Sequence, residues 1–596
     1  MTQEPLPEEK TEEEELKANL QNEIKKKKHF RFFWINIVIG VVLTIILLVI
    51  LLYLAPGRQE ASPYPPTDET RLIFEDKDLG TEHTLQKDDE TYISKVFLKE
   101  HIDPYIHYDE NGDYVTITSH EKVFQMQTDQ LTAYVNEEET ELNFPPTIHE
   151  DQPYLPADVL QEVYPVEVHY FEEDNLALLE NLEEQALKGN VKENETGILR
   201  EGPSIRKGII DRLDEGEEVI IYSEENNWFF DWYYVRTPDG YLGYISKDDL
   251  TLDDVTFREA VKKETPRHVP NISMGEPISL TWEHVITNTP NPDEMPLLSG
   301  VNVISPTWFH LNNSKGELDN VADKSFVYWA HQNDKQVWAL ISNRFDPAKT
   351  HEFLRDPNAR QNTINQLLLF SEIYNLDGIN FDFENIKLKD RDYYTQFIRE
   401  ATPFLREQDL VVSVDVTFIS ESENWSKSYD RKALAHTVDF VMVMAYDEHW
   451  GDSPVAGSVA SLPWVENNLE EILKKIPGEQ LVLGIPFYTR LWKEEENETG
   501  EIEVSSSAYG MDRIKEILDE HDADITFDED TKQYYAEYTN DDNRYRTWLE
   551  TPESIKKRID LVHEYDLAGV ASWRRGFETD DIWDVIKENL YRPTSE

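Results

Sequence analysis

Residues 377–384 read Asp377-Gly378-Ile379-Asn380-Phe381-Asp382-Phe383-Glu384. In an extended strand Ile379, Phe381 and Phe383 face one side, and Asn380, Asp382 and Glu384 face the other. A polar stack on a hydrophobic strand is costly to bury unless it is used. A carboxyl group in such a place, crowded by a second one, keeps its proton towards neutral pH. That suits Glu384, with Asp382 beside it, to general acid–base work. Asp377 falls on the opposite parity and is expected to serve structure.

The surrounding text must build a frame for this strand. Apolar strands are expected at Ile278–Trp282, Val301–Ser305, Val337–Ser342, Gly378–Phe383, Leu410–Val416, Phe440–Ala445, Leu481–Ile485 and Gly569–Trp573. Amphipathic helical text separates most of them, as in Thr363–Tyr374, Tyr393–Arg406 and Pro552–Tyr565. Eight such units over residues 265–596 predict an α/β chain with a (β/α)8 TIM barrel. Glu384 would then stand at the C-terminal end of strand four, the end where barrel enzymes carry their sites. Residues 491–548 interrupt the rhythm and read as a small α+β insertion.

The octapeptide resembles the D-x-x-D-x-D-x-E signature of glycoside hydrolase family 18, the chitinase-like barrels. Met444-Ala445-Tyr446-Asp447 is similar to the family's M-x-Y-D, and Gly484-Ile485-Pro486-Phe487-Tyr488 to its strand-seven motif. Trp573 stands where the family keeps a sugar-stacking tryptophan, and the text from Trp573 to Ile586 resembles the bacterial spore and cell-wall branch. The resemblance implies hydrolysis assisted by the substrate's own acetamido group, without a second enzyme carboxylate as nucleophile. It implies Glu384, Asp382 and Tyr446 as catalytic residues. Asn380, Asp447, Trp573 and Tyr488 would contact substrate. No cofactor and no metal are implied, and Asp447-Glu448-His449 reads as loop polarity rather than a metal cluster. One departure stands out: Asn380 occupies the place of the second Asp of the signature. A neutral group there eases repulsion around Asp382.

The rest of the chain sets the context. It has 596 residues with a formal net charge of −62, which repels polyphosphates and argues against a nucleic-acid partner. With no cysteine, disulfides and thiolate chemistry are excluded. Residues 32–55 form an uncharged apolar run preceded by Lys25–Lys28 and Arg31. Length and flanking charge predict one membrane-spanning anchor, with residues 1–31 cytoplasmic and the rest outside. Residues 57–70 read as a linker.

Two modules follow. Residues 71–185 alternate short strands and turns and resemble the small α+β copper amine oxidase N-terminal-like module, a name that implies no copper chemistry here. Residues 193–252 carry short strands around Trp228, Phe229, Phe230, Trp232, Tyr233 and Tyr234. They predict a small β-barrel and resemble a bacterial SH3-like domain, with the aromatics either in its core or lining a ligand groove.

The expected activity is therefore that of a membrane-anchored exterior glycosidase. Its partner would be an N-acetylglucosamine-containing polysaccharide, peptidoglycan or chitin. The alternative is a non-catalytic, lectin-like surface protein that binds the same sugar. Retention of Glu384 weighs against the alternative.

Overall fold

A computed structural model describes residues 12–53, 57–109, 114–119, 122–183, 185–226, 231–252, 257–258, 276–296 and 298–591. Trp228, Phe229 and Phe230 lie outside the described residues. The chain divides into two compact units, residues 1–94 with 154–263, and residues 95–153 with 264–596.

The first unit begins with the helix Glu12–Tyr53, in which Glu23–Leu51 is long and apolar enough to cross a membrane. Strand Arg71–Phe74 then pairs in parallel with Leu176–Asn181, which also pairs antiparallel with Val166–Phe171. A small antiparallel sheet follows, built from strands that include Gly197–Arg200, Ile209–Leu213, Glu218–Asn226, Asp231–Arg236 and Leu242–Ser246. Leu199, Leu213, Val219, Val235 and Ile245 fill its core, and Tyr233 joins them. Trp232 is also buried. These two aromatics therefore belong to the interior.

The second unit holds the eight-stranded parallel barrel. Its strands are β1 (Ile278–Glu283), β2 (Val303–Leu311), β3 (Gln336–Ser342), β4 (Gly378–Asp382), β5 (Val411–Thr417), β6 (Phe440–Met444), β7 (Leu481–Pro486) and β8 (Gly569–Trp573). Neighbours pair in order, and β1 pairs with both β2 and β8, so the sheet closes. Strand β2 runs well past the expected Ser305. Proline at 306 suggests a strand end in the sequence, but the strand continues through a register shift after Thr307 and gains an antiparallel partner, Leu318–Asn320.

The closing seam is tight. Gly569 has φ +154°, and a Cβ there would lie 2.0 Å from the Ile278 carbonyl oxygen, so only glycine fits.

Two apolar layers hold the barrel. Outward-facing Ile379, Phe381 and Phe383 are fully buried against helix Arg391–Glu407, where Phe397 meets both phenylalanines. Each such side chain contributes about 1.5–3 kcal/mol by leaving water. Inside, Ile278, Leu280, Trp338, Leu340, Val411, Met442 and Val482 pack together.

Helix Arg391–Glu407 is covered on its far side too. Every residue from Tyr394 to Leu405 is buried. The cover is a five-stranded antiparallel sheet within residues 107–141. Arg399 donates to the Thr118 carbonyl at 2.8 Å and lies 4.7 Å over the Tyr105 ring. His107 meets Tyr393 edge-on, and Val123 joins the barrel's apolar cluster.

Between β7 and β8, Tyr488–Leu549 forms a five-stranded antiparallel sheet with helix Met511–Glu520. Leu491, Ile514, Ile517, Leu518, Ala536 and Leu549 make its own small core.

Candidate active site

The alternation along β4 places Asn380 in the barrel lumen, fully buried. Its amide is completely used. The oxygen accepts from the Trp282 indole at 3.0 Å and from Ser305 Oγ at 3.3 Å. The nitrogen donates to Ser413 Oγ at 3.1 Å and to Asp415 Oδ1 at 2.7 Å. A carboxylate at position 380 could not donate to Asp415 and would repel it. The departure from the signature thus goes with a second acid, Asp415, one strand away.

Asp382 ends β4 and is nearly buried, with its Oδ1 lacking any hydrogen-bond partner among the described residues. Burial pushes its carboxyl up to about 7. Glu384 lies just past the strand rather than in it, and Tyr429 braces the turn by donating to the Phe383 carbonyl at 2.8 Å. Burial, together with Asp382, Asp415 and Asp447, holds the Glu384 carboxyl well above the usual carboxylate range. An acid that stays protonated near neutrality is what leaving-group protonation requires.

Tyr446 and Tyr488 face each other edge-on, with ring centroids 6.1 Å apart. Burial raises both phenols, so each remains a hydrogen-bond donor. Tyr488 uses its hydroxyl on Asp447 Oδ1 at 2.6 Å, and Arg490 approaches the same oxygen at 3.6 Å. Trp573, at the end of β8, lies 6.0 Å from Trp282 and 6.2 Å from His284. Its flat indole offers an apolar platform.

The structure therefore gathers Asn380, Asp382, Glu384, Tyr446, Asp447, Tyr488 and Trp573 on strands β4, β6, β7 and β8 and the residues just after them. Asp377 lies apart, at the N-terminal end of β4. Its Oδ2 accepts from the Val337 N–H at 2.7 Å and lies 2.8 Å from His331 Nε2.

Three features of the site escape sequence reasoning. Asp415 is one, although a lone acid amid Val-Val-Ser-Val-Asp-Val-Thr was a signal, because a charge inside an apolar strand is costly. Asn343, just after β3, is another. The third is a set of exposed aromatics in the segments that follow β3, β5 and β6. Phe345 and Trp425 lie 6.2 Å apart, and Trp450 is 55% exposed.

Residues 288–578 match Glycosyl hydrolases family 18. Residues 76–178 match the copper amine oxidase N-terminal domain, and residues 195–251 the bacterial SH3 domain. An uncharacterized glycosylase, YvbX, of Bacillus subtilis is 26% identical over 48% of this chain and 84% of its own length. The cortical fragment-lytic enzyme of Bacillus subtilis is 26% identical over 42% of this chain, which spans 59% of that relative. Among solved structures, the spore cortex-lytic enzyme SleL of Bacillus megaterium is 21% identical, with a TM-score of 0.47 over 53% of this chain and 74% of that one.

Proposed function

The barrel is a glycoside hydrolase domain of family 18, and from that premise we propose that this protein is a membrane-anchored exterior enzyme. It cleaves β-linked N-acetylglucosamine polymers, peptidoglycan above chitin, with retention of configuration. The observation that carries the reading is that Glu384, Asp382 and Tyr446 come together at the C-terminal ends of β4 and β6, where burial and neighbouring acids hold the Glu384 carboxyl well above the usual carboxylate range.

Glu384 gives its proton to the glycosidic oxygen as the C–O bond breaks. The acetamido oxygen of the same sugar bonds to the anomeric carbon and forms an oxazolinium ion. Asp382 accepts the acetamido N–H through its unpartnered oxygen and balances the positive charge. Tyr446 donates to the acetamido oxygen and fixes its line of attack, while Trp573 carries the sugar ring. Glu384, now a carboxylate, takes a proton from water, whose oxygen opens the ring from the first face. Two inversions leave the configuration unchanged. Phe345, Trp425 and Trp450 extend the aromatic platform for further sugars.

The preference for peptidoglycan is supported by the SH3 module, by the apolar helix that would hold the enzyme at the cell surface, and by the cortical fragment-lytic relative. The test uses the full chain in detergent on peptidoglycan and chitin oligomers side by side. Release of new reducing ends, with the β anomer first by proton NMR, is the expected result. Binding without any cleavage would replace this reading with the lectin-like one.

A further inference from the structure

The lumen holds a buried acid that the mechanism above leaves unused. Strands β4 and β5 run parallel with Asn380 beside Ser413 and Phe381 beside Val414. One more step along both strands brings Asp382 beside Asp415, and both have lumen parity. Asp415 is 2% exposed and Asp382 9%. Among the described residues neither carboxylate has a Lys, Arg or His in an ion pair with it. The groups that act on them are Glu384 from beyond β4, Tyr446 from beyond β6, Tyr394 and, for Asp382, Tyr429; Asp447 acts on Glu384. Arg490 is engaged with Asp447. The surroundings thus offer acids and phenols but no compensating cation.

We propose that Asp382 and Asp415 share one proton between β4 and β5, and that Asp415 is a positioning residue that keeps this proton when Asp382 turns to the substrate. The role rests on the reading given under the proposed function. Two like charges on adjacent buried positions cannot both ionise in a low-dielectric lumen. Asn380 fixes one oxygen of Asp415 by donating to Oδ1, while Asp382 Oδ1 has no hydrogen-bond partner among the described residues to hold it in place. In the resting enzyme the shared proton holds Asp382 towards Asp415. When an acetamido N–H arrives, Asp382 swings up as the anion and the proton stays on Asp415. No bond other than that O–H changes partner, so charge and atoms balance. The carboxylate that Asn380 does not supply is thereby provided from the next strand, and Asn380 becomes its holder.

The experiment compares Asp415→Asn with the exchanged pair Asn380→Asp/Asp415→Asn, using the full chain in detergent and acetamido-sugar oligomers. Asp415→Asn keeps an acceptor for Asn380 but cannot store the proton. Its kcat should fall by about 10²-fold with little change in KM, the scale of a misplaced catalytic group. Its pH–rate profile should shift to lower pH, because Asp382 loses a charged neighbour. The exchanged pair restores one carboxylate beside Asp382 and should regain at least about tenfold of the loss. A purely structural Asp415 would give neither the pH shift nor the recovery. Difference infrared titration of the parent reads the protonated carboxyl without any variant, and its absence at neutral pH overturns the proposal. So does an Asp415→Asn enzyme whose kcat and pH profile stay within about twofold of the parent. A parent that cleaves no acetamido sugar removes the underlying reading instead, while the infrared band still decides whether the proton is shared.

Discussion

Asn343 brackets the backbone of Glu384. Its Oδ1 accepts the Glu384 N–H at 3.1 Å, and its Nδ2 donates to the Glu384 carbonyl at 2.7 Å. The same Nδ2 reaches Thr350 Oγ1 at 2.9 Å, and Asn343 is fully buried. Because Glu384 lies beyond the end of β4, it has no ladder bonds to hold it, and this side chain takes their place. Asn343→Ala should cost about 1–3 kcal/mol by leaving those backbone groups unpaired. It should also lower kcat more than it changes KM. Thermal unfolding and steady-state kinetics on one preparation check both, and an unchanged kcat would show that the bracket does not position Glu384.

Glu384→Gln keeps the size and removes the proton. Turnover should drop at least ~10²-fold, while calorimetric affinity for acetamido-sugar oligomers is preserved. Near-full turnover in this variant would exclude Glu384 as the acid.

Stability should depend on pH through Asp382. Its carboxyl titrates at about 7 in the folded protein and near ~3.9 when unfolded. Between these values the native state holds more protons than the unfolded state, so stability falls as pH rises across the interval. Glu384 and Asp415 are also held above the usual carboxylate range by burial and contribute the same trend, so the comparison must be with Asp382→Asn. The variant should gain in unfolding free energy over the parent as pH rises from about 4 to 8, by at most about 4 kcal/mol, as one pKa unit is worth about 1.4 kcal/mol. An equal pH slope in the two proteins would show that Asp382 is not the group responsible.

The sheet on helix Arg391–Glu407 gives a fourth expectation. Arg399→Ala removes a hydrogen bond to the Thr118 carbonyl and a ring contact with Tyr105. A loss of about 1–3 kcal/mol is expected, together with faster proteolysis within residues 95–153. A fragment starting at residue 264 should be less soluble than one that keeps residues 95–153, since it bares the far side of that helix. Equal solubility and equal Tm of the two fragments would show that the sheet is dispensable.

A fifth concerns the N-terminal helix. The full chain should resist extraction from membranes by alkaline carbonate and should be released by detergent. A soluble product that begins after residue 55 would mark the helix as a removed signal.

Much of this was legible in the sequence because the relevant rules are local. Strand alternation put Asn380, Asp382 and Glu384 on one face, and the eight apolar runs match β1 to β8 to within a few residues except at the end of β2. Asp377 stood apart by parity alone. What escaped depends on neighbours distant in sequence. Asp415 acquires meaning only when β5 lies beside β4 in register, and Asn343 only when β3 flanks β4 on the other side. Phe345, Trp425 and Trp450 sit in three separate loops, and no spacing rule brings loop ends together. The burial of Tyr394–Leu405 on both faces looked like an ordinary amphipathic helix in the text, since its outer cover comes from residues some 280 positions earlier.

The glycine-only contact between Gly569 and Ile278 has a consequence for how the enzyme comes into being. Trp573 and the partner of Glu283, Arg575, both follow that contact in the chain. Until the last strand slots against the first, the lumen is an open trough with no floor for a sugar. A polypeptide emerging N-terminus first carries Glu384, the proposed acid, well before β8 and Trp573. If Glu384 and Trp573 act as proposed, latency during biosynthesis follows from strand order, and cutting would begin only once β8 has closed against β1.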